Sequence, residues 1–284
     1  MVRTDKTQDL RILISNDDGV NAHGIKVLES IAHTLTDDVW VVAPESEQSG
    51  AAHSLTLRRP LRIHKISPRR FAVDGTPTDC VMVALLKIFE NDKKPTLMLS
   101  GINHGANMGE DVTYSGTVAA AMEATLLGVP SIALSQVTKT GQNVKWATAE
   151  HYAPLVIKDL LAKGWPQNVL MNINFPNLVT GSVKGVKYVS QGLRNIRDTL
   201  IEWVDPRGNP YYWIGAAERD DSPTEVETDL EAIQNGYIAV TPLHLNLTHA
   251  PTLEKIQAVN QEVSFDEMLP VNQETFFEKM RKEA

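Results

Sequence analysis

Leu10-Arg11-Ile12-Leu13-Ile14-Ser15-Asn16-Asp17-Asp18-Gly19-Val20 is a short apolar run that ends on two adjacent aspartates and a glycine. It predicts a buried first β-strand that carries the aspartates at its carboxyl end. Open α/β sheets bind ligands outside the carboxyl ends of their strands. Asp17 and Asp18 therefore indicate a site for a hard cation or acid–base chemistry. A simple turn explains the pair equally well, because Asp-Gly is a common turn dipeptide.

Segments with helix and strand character alternate after this strand. The predicted helices cover residues 22–33, 76–89, 115–127 and 146–162, and the predicted strands cover residues 38–43, 96–99, 131–135 and 169–174. Thr76 and Pro77 mark the start of the second of these helices, as N-cap and first helical residue. Residues 61–66 and 70–73 predict a hairpin at the edge of the sheet. The predicted fold class is therefore α/β with a doubly wound, mostly parallel sheet.

The pattern changes at about residue 181, where strands follow one another without helices. Residues 186–190, 200–204 and 211–214 are predicted strands, and the last two form a hairpin around a turn-rich segment. Its tip carries the aromatic residues Trp203, Tyr211, Tyr212 and Trp213. Such an apolar projection predicts burial against another subunit, with packing on the chain's own core as the alternative. A helix over residues 228–235, a strand over 237–241 and a charged helix over 265–282 complete the prediction.

Composition narrows the classes of function. The 284 residues are 42% hydrophobic and carry a formal net charge of −8 with both signs dispersed, so a nucleic-acid polymer is not an expected partner. No apolar run approaches the roughly 18 residues of a membrane span, and residues 1–9 lack the apolar region of a signal peptide. We therefore expect a cytoplasmic protein that does not bind membranes. The single cysteine, Cys80, has apolar neighbours and is expected in the core.

Two further loops at predicted strand ends carry oxygen ligands, over residues 45–54 and 100–111. In the second, Gly101, Gly105 and Gly109 alternate with Asn103, His104 and Asn107. Glycines allow tight turns and close approach, and side-chain amides can face a ligand. A merely flexible connection has the same composition.

The segment Ser115-Gly116-Thr117 opens the helix predicted over residues 115–127. Free N–H groups and the helix dipole favour an anion such as phosphate there, although capping by Ser115 explains the same residues. The Walker, G-x-G-x-x-G, G-x-S-x-G and H-E-x-x-H motifs are absent from the sequence. Asn16 also breaks the Asp-x-Asp spacing of phosphatases that form an aspartyl phosphate.

Five motifs in this order resemble the SurE family of survival-protein nucleotidases. They are Ser15-Asn16-Asp17-Asp18-Gly19-Val20; Val42-Ala43-Pro44 with Ser49-Gly50; Gly75-Thr76-Pro77-Thr78-Asp79-Cys80; Ser100-Gly101-Ile102-Asn103-His104-Gly105-Ala106-Asn107-Met108-Gly109; and Tyr114-Ser115-Gly116-Thr117-Val118-Ala119-Ala120-Ala121-Met122-Glu123. The resemblance is strong from residue 10 to residue 174. It implies a metal-dependent phosphomonoesterase acting on nucleoside 5′- and 3′-monophosphates, and in some members on short-chain polyphosphate.

The resemblance also implies a Rossmann-like core and a carboxyl-terminal β-hairpin that is exchanged between the subunits of a homodimer or homotetramer. The expected division is a polar extension over residues 1–9, a catalytic core over 10–180, an arm and returning strand over 181–250, and a helical tail over 251–284.

The family's site residues transfer to matching positions of this sequence. One divalent ion per subunit, Mg²⁺, Mn²⁺ or Ca²⁺, would be held by Asp17, Asp18, Ser49 and Asn103. Phosphate would face Asn103, Asn107, Ser115, Gly116 and Thr117. The expected catalytic residues are Asp17, Asp18 and Asn107, with water as the nucleophile and Asp17 as its proton acceptor. A non-catalytic sensor that binds a nucleotide or another metabolite is the competing hypothesis.

Overall fold

The computed structural model describes residues 9–139, 141–195, 200–215, 218–219 and 226–258. Within these ranges, nine strands form one sheet in the order β3-β4-β2-β1-β5-β6-β7-β13-β8. They are β1 (Ile12–Ser15), β2 (Val39–Pro44), β3 (Ile63–Ser67), β4 (Arg70–Val73), β5 (Leu97–His104), β6 (Ser131–Gln136), β7 (Val169–Phe175), β8 (Val186–Tyr188) and β13 (Ile238–His244). β3 and β13 run antiparallel to β4 and β7, and the other pairs are parallel.

Helices cover both faces of this sheet. They are α1 (His23–His33), α2 (Pro77–Val83), α3 (Asp111–Tyr114), α4 (Gly116–Leu126), α5 (Trp146–Lys163) and α6 (Asp229–Gln234). α1 and α5 pack with Ile12, Ile14 and Leu99 on one face. α2 and α4 pack with Leu13 and Met98 on the other face, where Cys80 is buried as expected. Alternating strand residues thus feed two cores, and the doubly wound α/β fold is confirmed.

β1 lies at the point where the strand order reverses. The chain moves from β1 through α1 to β2 on one side, and later returns through α2 to β5 on the other side. Such a reversal opens a crevice at the carboxyl ends of the two central strands. The aspartates that follow β1 therefore stand at the expected ligand-binding edge.

One predicted boundary is wrong. The strand expected over residues 96–99 continues to His104, so the glycine-rich loop begins at Gly105 rather than at Ser100. The pairing of β5 with β6 shifts register between Ser100 and Asn103, which carries the strand past Gly101 at φ +131°. A Cβ at Gly101 would lie 2.3 Å from the Leu134 carbonyl oxygen. Only glycine allows this local bulge, and its continuation as a strand is not visible in local sequence.

The predicted aromatic hairpin is present as β10 (Leu200–Val204) paired antiparallel with β11 (Pro210–Ile214). A second short pair joins β9 (Arg194–Asn195) to β12 (Glu218–Arg219). Trp203 and Trp213 are 59% and 63% exposed, so the hairpin does not pack on the chain's own core. By contrast, β8 and β13 belong to the main sheet. Both strands lie within residues 181–250, where the arm and the returning strand are expected.

The chain divides into two compact units, whose described residues lie within 9–245 and 246–258. The second unit contains α7 (Ala250–Gln257), which begins one residue before the predicted tail. The charged helix predicted over residues 265–282, and residues 1–8 of the predicted extension, lie outside the described residues.

Candidate metal and phosphate site

Asp17 and Asp18 follow β1 directly, in the turn that leads to α1. Asp17 is buried and Asp18 is half-buried. The Asn16 side-chain amide donates to the Gly19 carbonyl at 3.0 Å, and Gly19 has φ +98°. The segment is therefore a true turn, as its Asp-Gly step indicates. This turn also presents two adjacent carboxylates at the central edge of the sheet.

The first turn of α4 contacts Asp17. The Thr117 hydroxyl donates a hydrogen bond to Asp17 Oδ1, and Thr117 is completely buried. A Cβ added to Gly116 would lie 2.7 Å from Asp17 Cβ, closer than real side chains approach, and 3.1 Å from Asp17 Oδ2, a tight contact. Gly116 thus allows the start of α4 to press against the carboxylate. The structure brings together two motifs that are 100 residues apart in the sequence.

The electrostatic environment of this pair favours a cation. Burial, together with the nearby charge of Asp18, raises the pKa of Asp17 to about 6, against the hydrogen bond from Thr117. Burial also raises the pKa of Asp18, against the hydrogen bond from the His104 amide. In the described part of the chain, no lysine or arginine forms an ion pair with either aspartate. Two desolvated acids without such a partner are stabilised by a bound cation.

The loop over residues 45–54 is fixed beside Asp17 by its backbone. The Gln48 amide donates to the Asp17 carbonyl at 2.8 Å, and the Ala52 amide donates to the Tyr114 carbonyl at 3.2 Å. His53 Nε2 lies 2.9 Å from Glu123 Oε2 on α4. Ser49, the residue after Gln48, is exposed, and its hydroxyl donates to Glu47 Oε1 at 2.8 Å.

The end of β5 reaches Asp18. The His104 amide donates to Asp18 Oδ2 at 3.2 Å. Asn103, the preceding residue, is therefore next in sequence to a residue that contacts Asp18. The Asn103 side-chain amide donates to the Gly105 carbonyl at 3.2 Å. Its amide nitrogen is therefore used inside the loop, and its oxygen is the atom suited to a metal ion.

Asn107 is buried and held by other polar residues of β6 and β7. Its side-chain amide donates to Ser135 Oγ at 2.8 Å, and its backbone amide donates to Asn174 Oδ1 at 2.9 Å. Its carbonyl accepts from the side chains of Asn172 and Asn174 at 2.8 and 3.0 Å. These four bonds fix both the backbone and the side chain of Asn107, which is what a rigid ligand-facing residue needs.

Ser115 caps α4, because its hydroxyl accepts from the Val118 amide at 3.0 Å. The prediction that Ser115 caps this helix is therefore confirmed. The cap leaves the amides of Gly116 and Thr117 at the helix start, where an anion is favoured. α4 has 11 residues, so it is long enough for a sizeable helix dipole.

Sequence reasoning missed Asp229, which holds the glycine-rich loop. This completely buried carboxylate accepts from the amides of Gly109 at 3.0 Å, Gly192 at 2.9 Å and Leu230 at 2.8 Å. The helix predicted over residues 228–235 contains Asp229, but the sequence gives this residue no role at the site. Nothing local shows that it reaches a glycine 120 residues away.

The supporting asparagines of β7 were also missed, although a signal for them exists. Asn172 and Asn174 alternate with apolar residues in Val-Leu-Met-Asn-Ile-Asn-Phe, and two amides on one side of a buried strand require polar partners.

The donor set fits a hard divalent ion. Two carboxylates, a hydroxyl and a side-chain amide provide oxygen ligands alone. Among the described residues there is no group of three or more histidine, cysteine, aspartate or glutamate side chains that could hold a metal.

Comparison with known proteins gives concordant matches. The family model described as "Survival protein SurE" matches residues 12–198. The 5′-nucleotidase SurE of Paramagnetospirillum magneticum is 59% identical over 248 residues, which cover 87% of this chain and 95% of that protein. The 5′-nucleotidase SurE of Parvibaculum lavamentivorans is 54% identical over 253 residues, covering 88% and 91%. The crystal structure of SurE from Aquifex aeolicus has a TM-score of 0.76 and 42% identity, covering 88% of this chain and 99% of that one.

Proposed function

The chain belongs to the SurE family, and on this premise we propose that it is a metal-dependent 5′-nucleotidase, a phosphomonoesterase that hydrolyses nucleoside monophosphates. The observation that carries the proposal is the contact of α4 with Asp17, which joins the carboxylate pair to a helix start suited to phosphate. A non-catalytic sensor is not favoured, because the similar relatives carry the name of the enzyme.

One divalent ion per subunit, Mg²⁺, Mn²⁺ or Ca²⁺, would be held by Asp17, Asp18, Ser49 and Asn103. The burial and raised pKa values of both aspartates support a cation there, as does the attachment of the Ser49 loop to the Asp17 carbonyl. When bound, the ion supplies charge neutralisation at the phosphoryl group and a more acidic water.

The chain's own residues would bind and orient the phosphate. The amides of Gly116 and Thr117, together with Ser115, would face its oxygens at the start of α4. Asn107, fixed by its four hydrogen bonds, would contribute an additional amide contact. Asn103 would serve both the metal ion and the phosphate. Each of these groups is positioned before the substrate arrives, which lowers the reorganisation needed in the transition state.

Asp17 is the proposed proton acceptor for the attacking water. Its Oδ1 already accepts the Thr117 hydroxyl, which leaves Oδ2, beside Gly116, to take the proton. In the metal-free protein burial raises the pKa of this carboxylate to about 6, and a raised pKa makes a carboxylate a better proton acceptor.

The finer proposal is that both 5′- and 3′-monophosphates are substrates, and that the enzyme is a homodimer or homotetramer built through the hairpin of β10 and β11. The exposed aromatic side chains of this hairpin support an interface between copies. The cytoplasmic location stays a prediction.

Phosphate release tests the proposal directly. The panel comprises nucleoside 5′- and 3′-monophosphates and short-chain polyphosphate, each with Mg²⁺, Mn²⁺, Ca²⁺ or a chelator. Metal-dependent release from a nucleoside 5′-monophosphate is expected. Nucleotide binding without release from any substrate would instead support the sensor.

A further inference from the structure

Three ring-bearing side chains gather beside Asp18 and have no part in the metal and phosphate chemistry described above. They are His23, the first residue of α1; His104, the last residue of β5; and Trp146, the first residue of α5. We call them the aromatic cluster. The ring centroids of His23 and Trp146 are 5.2 Å apart and those of His104 and Trp146 are 6.0 Å apart, with interplanar angles of 54° and 42°.

Backbone contacts hold each member of the aromatic cluster in place. The His104 amide is bonded to Asp18 Oδ2 at 3.2 Å. A Cβ at Gly24, the residue after His23, would lie 1.9 Å from the Ile102 carbonyl oxygen, so α1 and β5 touch there through a required glycine. The Lys145 amide, just before Trp146, donates to Asn177 Oδ1 at 2.9 Å. The rings are thus carried by three element ends that meet at the same edge of the sheet.

Core packing does not explain the whole cluster. Trp146 is half-buried and packs against the core beneath α1 and α5, but His23 and His104 are exposed. Aromatic surface therefore remains accessible next to one of the proposed metal ligands. A nucleotide whose phosphate occupies the start of α4 must place its nucleoside elsewhere along this edge.

We propose that the aromatic cluster binds the nucleobase of the substrate, with Trp146 as the principal stacking surface and His104 as the link to the metal site. The inference rests on the proposed nucleotidase function and adds the part of the site that recognises the nucleoside. Stacking on an aromatic face tolerates every base, because each base has a π-face. The cluster therefore favours nucleotides over baseless phosphomonoesters while accepting several bases.

The test compares adenosine 5′-monophosphate with ribose 5-phosphate, which carries the same phosphomonoester without a base. The measured quantity is the ratio of the two kcat/KM values. We expect Trp146→Leu, which keeps an apolar side chain against the core, to lower this ratio about tenfold, the scale of one lost base stack. Trp146→Phe should keep most of the ratio. His151→Ala, at an exposed position of the same helix, is the matched control.

An unchanged ratio in both Trp146→Leu and His104→Ala would overturn the inference, as would equal losses on the two substrates, because those point to a structural role. If the wild type releases phosphate from neither compound, the nucleotidase proposal fails instead. The same ratio is then taken from dissociation constants measured by calorimetry with Mn²⁺, so base binding is tested without turnover.

Discussion

The buried carboxylate of Asp17 lowers the stability of the metal-free protein, and the same burial suits its proposed role as a metal ligand. Its carboxylate is buried against Thr117 and Gly116, and its pKa rises because burial disfavours the charged form. A group of this kind destabilises the metal-free protein at neutral pH and is relieved by a bound cation. Such a residue is more readily explained by ligand binding than by folding, since proteins retain strained or desolvated groups mainly at functional sites.

Asp17→Asn should therefore bind metal less well yet stabilise the metal-free protein. The amide keeps an acceptor for the Thr117 hydroxyl but carries no buried charge. We expect Mn²⁺ affinity, measured by calorimetry, to fall at least about tenfold, and phosphate release to be lost. Asp159→Asn, at an exposed position on α5, is the control that should leave both measurements unchanged.

The pH dependence of the same variant follows from the pKa of Asp17, which rises from 3.8 to about 6 on folding. Between these values the folded state binds the extra proton, so the stability cost of Asp17 grows as the pH rises and is complete above about pH 6. In chelator, the free energy of unfolding of Asp17→Asn should exceed that of the wild type by about 3 kcal/mol at neutral pH and nearly match it near pH 4. A stability difference that is constant over this range would contradict the burial argument.

Gly116→Ala tests the close approach of α4 to the site. The new Cβ would lie 2.7 Å from Asp17 Cβ, so either the carboxylate or the helix must move. We expect phosphate release to fall on the order of tenfold or more, because small displacements of reacting groups are costly. Gly181→Ala meets no atom within 4 Å and has an ordinary φ, so it serves as the matched control. Wild-type activity in Gly116→Ala would show that phosphate release does not need the close contact between α4 and Asp17.

At the level of elements, Asp229 joins the start of α6 to the glycine-rich loop after β5. One carboxylate oxygen accepts from Gly192 and Leu230, and the other accepts from Gly109. The Gln191 side chain also donates to the Gly109 carbonyl at 2.9 Å. The loop that carries Asn107 therefore depends on Gln191, which precedes the hairpin of β10 and β11, and on Asp229, which follows it. Its shape is set by packing between distant elements.

Asp229→Asn should loosen this loop. An amide nitrogen would then face an amide N–H, leaving a buried donor without an acceptor, which costs on the order of 2 kcal/mol. We expect a lower unfolding temperature in calorimetry and a higher KM for nucleotide. Asp205→Asn, in an exposed turn that also accepts backbone amides, should change the KM little. If the unfolding temperature of Asp229→Asn equals that of the wild type, Asp229 does not hold the glycine-rich loop in place.

At the level of the whole molecule, the hairpin of β10 and β11 presents an aromatic face. The pairs Ile201 with Trp213 and Trp203 with Tyr211 lie on the same side, because each partner is two residues from the next. All four side chains are exposed in the single chain. In the proposed homo-oligomer, a second copy of the chain would cover them.

Deleting residues 200–214 should lower the number of subunits per particle, as calculated from the mass measured by light scattering. The double variant Trp203→Ser with Trp213→Ser should also lower this number. Leu57→Ser, at a position that is 84% exposed outside the hairpin, controls for loss of a surface apolar group. An unchanged number of subunits for both hairpin variants would count against the arm as the interface.

None of the helices in the described ranges combines the length and apolar character that a membrane crossing needs.

Much of the fold is determined by local sequence. The apolar run before Asp17 forms β1, and Thr76 with Asp79 forms a complete capping box at the start of α2. The exposed hairpin forms on either side of its Asp205-Pro206-Arg207-Gly208-Asn209 turn. Each of these features depends on side chains within a few residues of one another, through strand periodicity, capping or turn chemistry. The types of element and most of their boundaries could therefore be predicted without a structure.

The sequence by itself determined the α/β fold and the residue types of the site: a carboxylate pair, glycine-rich turns and a helix start with hydroxyls. Only the tertiary structure decided how they meet. It placed Thr117 on Asp17, His104 on Asp18 and Asp229 on Gly109, and it carried β5 past Gly101. These contacts join residues about 100 positions apart, where no local preference acts. Their geometry follows from the packing of both helical layers on the sheet, which fixes the separation of α4, α6 and the strand ends.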